Sequence, residues 1–71
     1  MDMSECKCVA VILSNGVVQL KNFDWPFAVV SIDKYKNHYA VDKWDDRSIS
    51  WLVKAKFETL EEAIMYGITL V

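Results

Sequence analysis

Few residues in this chain have the types and spacing to do chemistry. Cys6 and Cys8 stand two positions apart, and His38 is the one histidine. A thiolate nucleophile would need that histidine as its base and a third group to orient it. His38 falls beside a predicted hairpin turn and the cysteines at the start of the chain, so their spacing does not bring the parts together. Metal binding is the other reading of the Cys-x-Cys pair. Zinc usually takes four ligands, and His38 with carboxylates would have to complete the shell. A disulfide between positions i and i+2 of a strand would be strained, so both thiols read as reduced, small and half-buried. Paired carboxylates occur twice. Asp45-Asp46 falls in a predicted turn, where aspartate satisfies backbone donors. Glu61-Glu62 falls in the first turn of a predicted helix, where negative charge is favourable. With no phosphate loop, dinucleotide glycine pattern or zinc spacing, the expectation is a protein that is not an enzyme and holds no cofactor or metal.

The elements that must position these residues are set by sparse punctuation: one proline, Pro26, and two glycines, Gly16 and Gly67. Asn15-Gly16 lies between two β-rich runs and predicts a type I′ hairpin turn that pairs Leu13 with Val18 and Val11 with Leu20. That register gathers Val9, Val11, Leu13, Val18 and Leu20 on a core face and puts Cys8, Ala10, Ile12 and Val17 on the other. The segment from Asn22 to Pro26 reads as a connecting loop, since proline cannot donate to a ladder. A second hairpin turns at Lys36-Asn37 and matches Ile32 with Val41, Lys34 with Tyr39, Ser31 with Asp42 and Val29 with Trp44. The neighbouring register would oppose Asp33 and Asp42, two like charges. Ile49, Trp51, Val53, Ala55 and Phe57 then alternate with polar residues as one strand, broken only by Leu52. Thr59 through Glu62 forms a capping box. The helix it opens is expected to bury Leu60, Ala63, Ile64 and Ile68, with Gly67 as its C′ residue. The fold class is therefore α+β: about five antiparallel strands, two hairpins plus one strand, with one short C-terminal helix on the sheet.

A chain of 71 residues is a single domain, 1–71. Its 54% hydrophobic and 25% charged composition is that of a folding sequence, and the net charge of −2 argues against a polybasic membrane or DNA binder. The longest apolar runs, such as Val9 to Leu13, are too short to span a bilayer. The acidic start, Met1 to Cys8, lacks the apolar stretch of a signal peptide, so a cytoplasmic location is expected. A core of this size rarely supplies more than ~3–5 kcal/mol, which leaves little for a deep strained cleft.

Surfaces are the more informative part. One short helix covers only part of a five-stranded sheet, so the sheet either curls into a small barrel or leaves an apolar face for a protein partner or a second copy. Trp25 precedes proline in a loop, and Trp44 points to the less covered face. With Tyr35, Tyr39, Asp45 and Asp46 they are the expected partner-binding residues, aromatics anchoring and carboxylates orienting. Acidic side chains in the C-terminal half could steer a basic, nucleic-acid-handling partner. The alternative is a barrel-like module that binds single-stranded nucleic acid through the Lys34–Tyr39 hairpin tip, where lysines and aromatics interleave. The acidic balance of the chain favours a protein partner over nucleic acid.

In size and layout, and in the strand-to-helix junction Phe57-Glu58-Thr59-Leu60-Glu61-Glu62-Ala63-Ile64, the chain resembles the small single-domain inhibitors encoded by phages, anti-CRISPR proteins among them. The resemblance implies a non-enzymatic protein that inhibits or adapts a host enzyme by occupying its surface.

Overall fold

The computed structural model describes residues 8–71; Cys6, and with it the Cys6–Cys8 pair, lies outside the described residues. Five strands form one antiparallel sheet in sequential order: β1 (Cys8–Ile12), β2 (Val18–Asn22), β3 (Val30–Lys34), β4 (Tyr39–Asp45) and β5 (Ser50–Phe57). A single helix, α1 (Leu60–Leu70), follows. β1 and β5 are the two outer strands, so the sheet is an open meander and not a barrel.

The first hairpin departs from the expected register by one residue. Leu13 N–H donates to the Val17 carbonyl at 2.8 Å and Gly16 N–H to the Leu13 carbonyl at 2.9 Å. The loop is therefore Ser14-Asn15-Gly16, a turn closed by a glycine at φ +89°, the arrangement of a three-residue hairpin with a glycine bulge. Asn15 does not take positive φ; its Oδ1 accepts from Val17 N–H at 3.1 Å. The extra loop residue pairs Ile12 with Val18 and Ala10 with Leu20. A one-residue slip exchanges the faces of a strand. Cys8, Ala10 and Ile12 thus share the helix side with Val18 and Leu20, and Val9 and Val11 lie on the open face.

The second hairpin has the register that avoids the aspartate clash: Ile32 opposite Val41, Ser31 opposite Asp42, Lys34 opposite Tyr39. In β5 the expected single alternation is interrupted. Ala55 opposes Val41 but Val53 opposes Asp42, so Lys54 is the additional residue of a β-bulge. Ala55 and Phe57 face the helix, whereas Trp51 and Val53 face the other way. Leu52, opposite Lys43, lies on the helix side, which accounts for its break in the pattern.

α1 lies over β3, β4 and β5. Thr59 caps it: Glu62 N–H donates to Thr59 Oγ1 at 3.2 Å, and that hydroxyl donates to Glu62 Oε1 at 2.9 Å. The helix does not end at Gly67. It runs three residues further, and Gly67 is buried against the sheet, where a Cβ would lie 2.8 Å from Leu20 Cδ1 and 3.3 Å from Val30 Cγ1. The buried stripe thus passes through Ala63 and Gly67, and Ile68 is exposed. Val18, Leu20, Val30, Ile32, Val41 and Ala63 form the core, with Tyr39, Phe57, Leu60, Ile64, Tyr66 and Leu70 packed around it. Lys43 Nζ donates to the Leu70 carbonyl at 2.7 Å and so places a cation at the helix C-terminus.

Candidate functional site: an aromatic groove at one end of the sheet

The loop between β2 and β3 is fixed by its own backbone. Trp25 N–H donates to the Asn22 carbonyl at 3.0 Å, and Lys21 Nζ donates to the Trp25 carbonyl at 3.1 Å. Pro26 follows, and Val29 N–H donates to the Leu20 carbonyl at 2.9 Å, where the chain rejoins the sheet. This brings Trp25 and Phe27 to the same end of the sheet as the turn from β4 to β5. There Asp45 Oδ2 accepts from Ser48 N–H at 3.0 Å and from the Ser48 hydroxyl at 2.6 Å. These bonds hold the Asp45 carboxyl below its ordinary value. Across the turn, Trp44 and Trp51 pack edge to face with centroids 5.5 Å apart, and Trp44 Nε1 donates to Asp46 Oδ1 at 2.9 Å.

The result is a groove of about 870 Å³ with Trp25, Phe27, Trp44 and Trp51 as aromatic walls and Gln19, Asn22, Asp45, Asp46 and Arg47 among its polar lining. Trp25 is 54% exposed and Phe27 68%. Four of the expected partner-binding residues, Trp25, Trp44, Asp45 and Asp46, meet here. Tyr35 does not; it lies at the opposite end of the sheet, exposed and stacked on His38 at 4.9 Å. Tyr39 sits on the helix side, opposite Phe57, packed against the core. By register Cys8 is level with Asn22 at the groove end, and His38 belongs to the far hairpin. Among the described residues no three histidine, cysteine or carboxylate side chains gather closely enough to hold a metal ion.

Trp51 and Phe27 are groove residues outside the expected contact set. The bulge at Lys54 moves Trp51 off the core face, and alternation alone gives no sign of it. A second feature is also new. Asp42 sits on the open face at 9% exposure, between Ser31 and Val53, and its Oδ1 has no hydrogen-bond partner among the described residues. Burial first, then a hydrogen bond and charge repulsion from Asp33, push its carboxyl up to about 6. The open face is accordingly polar in its middle, at Gln19, Ser31, Asp33 and Asp42, and apolar at its flanks.

Set against models of known families, curated proteins and solved structures, the chain finds no match.

Proposed function

We propose that this is a non-enzymatic interaction protein that seats part of a partner protein in the aromatic groove and thereby inhibits or adapts it, in the manner of a phage-encoded inhibitor of the anti-CRISPR type. One observation carries the reading. Two segments distant in sequence, the Asn22–Val29 loop and the β4–β5 hairpin end, converge on one groove walled by four aromatic rings. Tryptophan in a partly desolvated depression is the side chain most often found to anchor a protein interface. Asp45 and Asp46 share its rim with Lys43 and Arg47, charges that balance and can orient polar groups of a nucleic-acid-handling target acting inside the cell. The test is capture from host lysate on the immobilised protein, with and without nuclease, beside the Trp25→Ala/Trp44→Ala variant. A defined protein retained after nuclease and lost with the folded variant supports the reading. Equal capture by the variant rejects the groove.

The exposed Tyr35 ring beside Lys34 and Lys36 favours a second reading, single-stranded nucleic acid stacked at that hairpin tip. Tyr39, packed on the core, is not available to such a platform. Capture abolished by nuclease and by Tyr35→Ala, but indifferent to Trp44, is the outcome it requires.

A further inference from the structure

The outer edge of β5 is a row of main-chain donors and acceptors. β5 is the last strand of the sheet, and among the described residues its backbone ladder runs to β4 alone. The two halves of this edge differ. In the second half the bulge at Lys54 ends the regular ladder, and the exposed cations Lys54 and Lys56 disfavour any strand that brings no negative charge to meet them. The first half has none of them. Trp51, Leu52 and Val53 are 38%, 40% and 58% exposed in succession, with no charge among them. Among the described residues β1, the other outer strand, has no charged side chain with which to select an occupant.

We infer that the Ser50–Val53 edge accepts an extended segment of a partner protein as a sixth strand, apolar beside Trp51–Val53 and acidic where it reaches Lys54 and Lys56. Backbone pairing supplies the attraction and alternate side chains the selectivity. Trp51 joins this edge to the groove: its backbone lies on the edge and its ring forms a groove wall with Trp44. Every second side chain of the added strand therefore enters the open face next to the indoles. The inference rests on the groove being a docking site, and it names the form of what docks there.

The probe is a blocked ten-residue peptide of alternating valine and threonine that ends in two glutamates. It is compared with a copy carrying proline at every second position and a copy ending in two lysines. Tryptophan fluorescence reports binding, and amide hydrogen exchange reports strand pairing. The expected result is saturable binding of the acidic peptide, slowed exchange at alternate amides of residues 50–53, and affinity at least about tenfold weaker for both copies. Val53→Lys, at an exposed position, should abolish binding while the variant keeps a cooperative unfolding transition. Indole shifts without amide protection, or equal binding of the proline copy, would overturn strand addition and leave groove docking standing. No response to the acidic peptide overturns strand addition as well, and groove docking then stands or falls on the lysate capture with Trp25→Ala/Trp44→Ala.

Discussion

At Asp42 burial, a hydrogen bond with Asp33 and repulsion from that same neighbour all act in one direction, raising the carboxyl from 3.8 to about 6. The folded state thus holds this proton to higher pH than the unfolded state does. Its stabilising contribution is complete below the unfolded value of 3.8 and is lost as pH rises through about 6. Asp42→Asn keeps a neutral hydrogen-bonding group in place and removes the buried charge. It should raise stability at pH 7.5 by about 1–2 kcal/mol and have little effect at pH 4, measured by urea unfolding at both. Asp45 has the opposite sign: its carboxyl is lowered by Ser48, so the turn it closes loosens as pH falls through its folded value. A third residue carries strain instead of charge. Ile49, in the turn between β4 and β5, adopts φ +53° and is 75% exposed. A β-branched side chain resists that conformation, and burial does not compensate for it there. Ile49→Asn should stabilise the fold by ~0.5–1 kcal/mol in the same denaturation assay.

Single residues also decide how the elements lie on one another. Gly16 lengthens the first hairpin loop by one residue, and with it every side chain of β1 changes face. Lys54 does the same to half of β5. Gly67 allows the helix to approach Leu20 and Val30, both in the closed core. Alanine at this position would gain about 1 kcal/mol of helix propensity. A Cβ 2.8 Å from Leu20 Cδ1 forces a side chain that is 1% exposed to move, however, and the strain exceeds the gain. Gly67→Ala should therefore lower stability by ~1–2 kcal/mol, visible as a lower urea midpoint with an unchanged slope.

Among the described residues, one helix on a five-stranded open sheet leaves one face, two outer strand edges and an aromatic groove without a covering element. The groove rings do not contribute to the core cluster, which is built from β2, β3, β4 and α1. Trp25→Ala/Trp44→Ala should therefore leave a cooperative unfolding transition in place and weaken partner binding by more than ~2 kcal/mol, read by calorimetric titration with the captured protein. Loss of the transition instead would make these tryptophans structural.

The sequence by itself determined which elements exist and in what order. Alternation, the Asn15-Gly16 signal, Pro26 and the Thr59–Glu62 box mark all five strands and the start of the helix. The unfavourable pairing of Asp33 with Asp42 was enough to set the register of the second hairpin. Of the six expected contact residues, Trp25, Trp44, Asp45 and Asp46 line the groove, whereas Tyr35 lies at the far hairpin and Tyr39 packs on the core, a division the sequence did not show. The tertiary structure alone decided which face each strand presents, that Trp51 joins the groove while Tyr39 joins the core, and that the helix continues past Gly67. The physical reason is parity. A strand repeats every two residues, so one additional residue in a turn or bulge reverses its inside and outside without altering the pattern by which the strand is recognised.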